Sequence, residues 1–433
     1  MKQREFSFVI LVFVIGLIVR ILFVLNSPSA LSGDEIAYYS ISERFLSKGV
    51  LLGSQGMPTA YRPPLYFLFL SLALALSNHS ILIVKIVQAV LSLLTALVIF
   101  HIARKFLGHA ISLITLLLSI LYMPLIWAPT RLYSETLFLF FFTTAFYYFV
   151  KLWTHPAFSN SIKLGVFIGL AALTRGIAIV MMFLFISSLG IKYYSERILP
   201  FKKASSLLLA AAFSFSLTIL PWVIRNYHLL GAPKFTTEAG MVWYTSFFPK
   251  SDKIFSAIPR EDPVIQQAYA LSTELEREQF LTSQTFSKLQ KNPERVIKLI
   301  PIKFVSLWSP IHWEIYHTTV YDWSYVALWP FFFWGFLWLY RNKRNILLPI
   351  MMPMAGIIIT SLIFYGSARL RFPSEPCFVL IASCAFHQAF QKRSVLLNLM
   401  ISLWIMINFY TSFHYAEAKS FLKYLAVHAG IWS

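Results

Sequence analysis

FSFVILVFVIGLIVRILFVLN (residues 6–26) and LSGDEIAYYSISERFLSKG (31–49), separated by four residues, decide how the rest of the chain is read. The first run is long enough to cross a bilayer core, which takes about 20 apolar residues. Lys2 and Arg4 precede it as in a signal peptide, but no small-residue cleavage site stands before Asp34 and Glu35, so it reads as a retained helix entering from the cytoplasm. The second run has a helix start at Ser32-Gly33-Asp34 and then an amphipathic pattern. Ile36, Tyr39, Ile41, Phe45 and Leu46 form an apolar side, and Glu43, Arg44 and Lys48 a polar one. An oily span followed at once by an acidic pair on an interfacial helix is the pattern of a membrane protein with polar work at one boundary.

Composition extends this to all 433 residues. Hydrophobic residues make up 58%, aromatic 17% and charged only 13%, far more apolar surface than a soluble core could hide. A formal charge of +19 would suggest nucleic acid in a soluble protein, yet the basic residues recur between apolar spans, so no nucleic-acid partner is expected. Cys377 and Cys384 share one late apolar segment and suggest neither a disulfide framework nor a metal site.

HIARKFLGH (101–109), Lys151, KYYSERILPFKK (192–203), YRNKRN (340–345) and QKR (391–393) place their loops inside by the positive-inside rule. Spans then fall near 6–26, 81–103, 110–127, 135–150, two in 162–191 joined at TRG (174–176), 204–222, 325–340, 346–365, 375–390 and 395–414. That is eleven, or up to thirteen if 64–78 and the stretch around 296–311 also cross. The 64–78 segment is short for a span and reads as an embedded or interfacial helix completing a first outer loop, 27–80. With no repeat and no Gly/Ser linker, the chain reads as one all-α polytopic membrane domain with a larger outer subdomain at 225–300. Within it, STELEREQFLTSQTFSKLQK before Asn292-Pro293 has the character of a surface helix.

The anomaly lies in which charges fall outside. Asp34, Glu35, Arg62, Glu135, Arg175, Arg225, Arg369 and Arg371 all collect on the outer side of a protein whose other basic clusters are inside. Each has a plain reading: Asp34 as a helix cap, Arg62 as a snorkelling arginine before Pro63-Pro64, Arg131 and Glu135 as an ion pair. Together they suit an anionic lipid headgroup, because the guanidinium fork matches phosphate oxygens and a carboxylate beside it can carry a proton.

Taken in order, GDEIAYYSISERFLSKG, YRPPLYFLF, RLYSETLFLFFF, GLAALTRG, LPWVIRNYHLLG and ARLRFPSEP resemble the integral-membrane glycosyltransferases of the GT-C fold. The likeness is to the bacterial branch similar to family 39 protein O-mannosyltransferases and the aminoarabinose transferase of lipid A, and it covers most of the chain to about residue 390. It implies transfer of a sugar from a polyprenyl-phosphate donor to an acceptor hydroxyl on a lipid, glycan or protein, usually with inversion, at the outer face of a bacterial plasma membrane. It implies a base or acceptor-orienting role for Asp34, with Glu35 beside it and Glu135 as a second acidic position. Arg62 falls to the donor phosphate, with Arg175, Arg369 and Arg371 as further phosphate contacts; Arg131, Arg225, Asn226 and Tyr61 are other candidates. Tyr61 stands where the aminoarabinose branch tends to have glutamate, a difference that bears on that substrate and on a metal site there. No cofactor is expected for certain, and a divalent metal is left open. A transporter or flippase of a lipid-linked sugar could use the same arginines, but such proteins gather polar residues near the midplane of repeated halves, and here they gather at one face.

Overall fold

The computed structural model describes residues 3–54, 56–248, 261–315, 318–392 and 395–413. It is a helical bundle. Its first helices are α1 (Gln3–Leu25), α2 (Asp34–Lys48), α3 (Leu65–Leu76), α4 (Ile81–Phe106), α5 (His109–Leu121) and α6 (Met123–Trp127). There follow α7 (Glu135–Thr154), α8 (Phe158–Thr174), α9 (Ile177–Ser195) and α10 (Phe201–Leu230). Four helices mostly beyond the apolar bundle come next: α11 (Ala239–Phe247), α12 (Pro263–Ala270), α13 (Glu274–Lys291) and α14 (Glu294–Leu307). A two-stranded antiparallel hairpin, Ile311–Ile315 with Thr318–Tyr321, leads into α15 (Trp323–Asn342), α16 (Arg344–Ile363), α17 (Glu375–Lys392) and α18 (Val395–Phe413).

A helix, or in one case a bent pair, stands at each of the eleven expected spans. Among the described residues, six helices are long and apolar enough to cross a membrane by length and composition, and the pair α5–α6, bent by 53°, makes a seventh candidate. The upper count of thirteen is not reached. α3 has 12 residues and α14 has 14, about 18 and 21 Å at 1.5 Å per residue, short of a hydrocarbon core of about 30 Å. α3 instead packs against α2 and α4, with Tyr66, Leu70 and Leu74 fully buried.

Within the bundle, the break between α5 and α6 leaves carbonyls without helical partners, and in lipid such groups must be satisfied internally. Arg20 of α1, fully buried, supplies the donors: its guanidinium reaches the Ser119 and Ile120 carbonyls, the Gly16 carbonyl and Ser92 Oγ. Gly16 permits the approach, since a Cβ there would lie 2.9 Å from Leu93. An arginine inside a span thus has a structural duty.

The two ends of the bundle differ. At one end the Arg104 guanidinium meets Glu5, the Lys343 ammonium reaches the Leu107 carbonyl, and Lys192 lies over Trp153, so the loops after α4, α7, α9 and α15 gather there with the basic clusters. At the other end the starts of α2, α7 and α11, the α8–α9 turn and the loop between α16 and α17 converge. α10, with 30 residues or ~45 Å, runs beyond the bundle at this end. There Trp222 and Asn226 hold the returning chain by its Lys234 and Phe235 carbonyls. Past it, α11, α12 and α13 share a small core of Met241, Tyr244, Ile265, Ala268 and Leu281. α13 begins with a capping box between Thr273 and Glu276 and ends at Asn292.

Candidate functional site

Six charged side chains form one line at the convergent end, alternating in sign. Glu238 at the start of α11 lies 3.5 Å from Arg62, and Arg62 donates to Asp34 Oδ1 at 2.9 Å. Arg369 donates to Asp34 Oδ2 at 2.8 Å and, from its other edge, to Glu135 Oε1 at 2.7 Å, and the same Glu135 oxygen is 2.7 Å from Arg175. Three carboxylates and three guanidiniums cancel in charge. The line runs from buried to open: the Glu135 side chain is 3% exposed, while those of Asp34 and Glu238 are each 32% exposed.

Each member is placed by local structure. Asp34 opens α2 after Gly33, whose φ of 55° is a conformation that suits glycine. With no side-chain cap on α2, the Asp34 carboxylate turns to the arginines; the expected cap role is not what it does here. Arg62 ends an extended strap. Glu274 grips it by accepting from Thr59 Oγ1 and the Ala60 N–H, Thr237 donates its N–H to the Ala60 carbonyl, and Pro63-Pro64 then start α3. Glu135 is the first residue of α7, where the helix N-terminus favours a negative charge. Arg175 sits in the α8–α9 turn. Arg369 lies over the Tyr133 ring at 4.4 Å and Arg62 over Tyr38 at 4.9 Å, so aromatic faces fix both guanidinium planes.

Electrostatics follow from this packing. Burial alone would raise the Asp34 carboxyl, but Arg62 and Arg369 outweigh it and hold the group well below the usual carboxylate range. Two buried atoms in the line make no hydrogen bond among the described residues, Arg62 Nη1 and Glu135 Oε2. One is a donor suited to a phosphate oxygen; the other is an acceptor.

The remaining sequence candidates lie outside the line. Glu35 is buried and faces away from Asp34: it accepts from the Ser32 and Leu132 N–H groups at 3.1 and 2.9 Å and pairs with Arg131 at 3.3 Å. Arg131 also donates to Ser32 Oγ, and with Leu22, Phe23 and Trp127 it lines a groove of about 370 Å³. These contacts tie the α1–α2 loop to the turn before α7. Arg371, fully buried, pairs with Glu375 at 2.8 Å, lies 3.5 Å from the Tyr325 ring and reaches the Ser309 carbonyl; Tyr122 donates to the same glutamate. That cluster anchors the loop carrying Arg369 and does not present Arg371 to the line. Arg225 donates to the Thr59 carbonyl and to Asn226 Oδ1, and stacks on Trp222, a brace for the strap. Tyr61 lies beside the strap, its ring 6.0 Å from the Arg62 guanidinium. Glu238, Tyr38 and Tyr133 were not singled out in the sequence. Glu238 stands in a polar stretch with no contrast to mark it, and the two tyrosines resemble many others in an aromatic-rich chain.

A family model described as dolichyl-phosphate-mannose-protein mannosyltransferase matches residues 61–223. No curated protein matches the chain at a significant level. Among solved structures, the archaeal oligosaccharyltransferase AglB from Archaeoglobus fulgidus, in complex with an inhibitory peptide and a dolichol-phosphate, superposes with a TM-score of 0.56 at 14% identity. The match covers 97% of this chain and 56% of that one, so the chain spans little more than half the length of that relative. A second structure of the Archaeoglobus fulgidus oligosaccharyltransferase, with Zn and sulfate, gives 0.55 at 14% identity, covering 93% and 51%. ArnT from Cupriavidus metallidurans bound to undecaprenyl phosphate matches at 0.41 and 14% identity, over 88% and 78%. On the two oligosaccharyltransferase superpositions, the fold is that of a multi-pass membrane protein of the GT-C type. Over residues 61–223 the sequence is similar to the mannosyltransferase family.

Proposed function

We propose that this protein is a glycosyltransferase that moves a sugar from a polyprenyl-phosphate donor to an acceptor hydroxyl, with inversion, at the outer face of a bacterial plasma membrane. The observation that carries the reading is the line of alternating carboxylates and guanidiniums at one rim of an apolar bundle, with Arg62 Nη1 and Glu135 Oε2 buried and unbonded. A phosphate arriving from the lipid would take Arg62 and Arg369 from Asp34 by offering stronger bidentate contacts. Relieved of two cations, Asp34 regains basicity and accepts the acceptor's O–H proton. The acceptor oxygen then bonds to the anomeric carbon as the bond from that carbon to the phosphate oxygen breaks. The charge left on the polyprenyl phosphate is held by Arg62, Arg369 and Arg175. The similarity over residues 61–223 and the fold shared with a protein solved with dolichol-phosphate support the donor class. The basic clusters at the opposite end support a cytoplasmic location for that end and an outer location for the site. The helices after α10, beside the open end of the line, are where an acceptor would dock.

The test is transfer of radiolabelled sugar from polyprenyl-phosphate donors to membrane acceptors by the purified wild type and by Asp34→Asn. Transfer in the wild type, lost in the variant with donor binding retained, is the expected result. Equal transfer in both removes Asp34 from the chemistry; donor binding with no transfer in either points to a transporter.

A further inference from the structure

We propose that Arg369 occupies the place a divalent cation would take between the two site carboxylates, making the site a guanidinium-based one that holds no metal. The inference rests on the transferase reading for what the site does, but the binding evidence that decides it does not.

Arg369 is the group shared by both carboxylates. Its Nη1 faces Asp34 Oδ2 at 2.8 Å, and its Nε and Nη2 face Glu135 Oε1, each at 2.7 Å. A divalent ion takes oxygen ligands at about 2.0–2.6 Å and draws them together around one point. A planar guanidinium bonded on opposite edges holds its two carboxylates further apart than a shared ion would. Nor is there spare negative charge to attract an ion, because Arg62 takes the other oxygen of Asp34 and Arg175 shares Glu135 Oε1 with Arg369. Both Asp34 oxygens are engaged, and Glu135 Oε2, the one buried carboxylate oxygen of the line with no hydrogen bond among the described residues, is a single ligand. Among the described residues no group of three or more His, Cys, Asp or Glu side chains is arranged to hold a metal ion.

Arg369 is also built into its position. Its guanidinium lies on the Tyr133 ring, the Leu370 N–H closes a turn on the Ser367 carbonyl, and two residues on Arg371 locks the loop to Glu375. The cation between the carboxylates therefore comes with the fold. In this reading the positive charge that meets the departing phosphate is covalently part of the chain and cannot be removed by a chelator.

The experiment measures Mn²⁺ and Zn²⁺ binding to the full chain in detergent by calorimetry after EDTA treatment, for the wild type, Asp34→Asn, Arg369→Ala and the double variant Arg369→Ala/Asp34→Asn. Expected is no Asp34-dependent binding in the wild type, a new site in Arg369→Ala where the two carboxylates lose the cation they share and the line gains a net negative charge, and its loss in the double variant. Stoichiometric binding in the wild type that Asp34→Asn abolishes would overturn the proposal, and this reading does not need Arg369→Ala to fold. Transfer assayed alongside should be unchanged by EDTA; transfer lost to EDTA and restored by a metal ion overturns it equally. If the wild type transfers nothing with or without metal, the transferase reading fails, and the binding titration decides this inference alone.

Discussion

Asp34 and Glu35 are neighbours in sequence, yet the structure gives them separable duties, and replacing each by its amide should show this. Glu35 is 1% exposed, satisfies two backbone N–H groups and faces Arg131, itself 2% exposed. Removing one partner of a buried ion pair costs about 3–5 kcal/mol. Glu35→Gln keeps one oxygen for one N–H but turns an NH₂ group against the other donor, while Arg131 retains Ser32 Oγ, so the lower end, about 3 kcal/mol, is expected. For a chain of this length that corresponds to a fall in apparent melting temperature of roughly 3 °C. Asp34→Asn leaves Arg62 with Glu238 and Arg369 with Glu135, and its melting temperature should stay within about 1 °C of the wild type. Transfer should divide the other way: a loss of about 10²–10⁴ for Asp34→Asn, the usual worth of a general base, and less than about tenfold for folded Glu35→Gln. The assay pairs melting at a fixed scan rate, because membrane proteins often unfold irreversibly, with initial transfer rates on the folded fraction. Adding Arg131→Met to Glu35→Gln should restore much of the lost stability, since an apolar replacement removes the stranded charge. A Glu35→Gln protein that melts like the wild type but transfers a hundredfold more slowly would refute the reasoning and put Glu35 in the chemistry.

Two further predictions come from charges absent from the sequence candidates. Glu238 lies 3.5 Å from Arg62 at the open end of the line, so on the proposed reading it would compete with an incoming phosphate for that guanidinium. Glu238→Gln should lower the KM for the polyprenyl-phosphate donor several-fold, and an unchanged KM would remove Glu238 from the donor path. Lys303 on α14 is 2% exposed, donates to the Leu362 carbonyl at 3.2 Å and lies 3.7 Å from the Phe247 ring; burial lowers its pKa to about 8. Between about 8 and the unfolded value near 10.4 the unfolded chain holds this proton more tightly, so stability rises with pH across that window and the full penalty applies below it. Lys303→Met should therefore raise the melting temperature near pH 7, by an effect of up to about 3 kcal/mol, and flatten the rise between pH 8 and 10; a pH profile parallel to the wild type would contradict this.

What the sequence reveals here, and what it hides, follows from the kind of signal each feature leaves. Apolar runs bounded by basic clusters locate the spans because hydrophobic length and loop charge are local properties. Asp34, Arg62, Glu135, Arg175 and Arg369 stand out for the same reason: an ionisable residue at the edge of an oily run contrasts with its surroundings. Glu238 has no such contrast, and only the return of the chain after α10 brings it to Arg62. Arg20 had the contrast, one cation within a strongly apolar run, but its duty depends on a break between α5 and α6 that hydropathy alone does not reveal. The hardest distinctions are between near neighbours. Asp34 and Glu35 differ by one step of about 100° around α2, and that step separates the line of charges from the Arg131 pair. Arg369 and Arg371 sit two residues apart in one short loop, and one faces Asp34 and Glu135 while the other faces Glu375. A sequence shows that a boundary is charged; which charge meets which is decided by helix rotation and loop path, and these are set by packing at positions far along the chain. Substitutions at adjacent positions, read for stability and transfer together, are therefore the sharpest probe of this site.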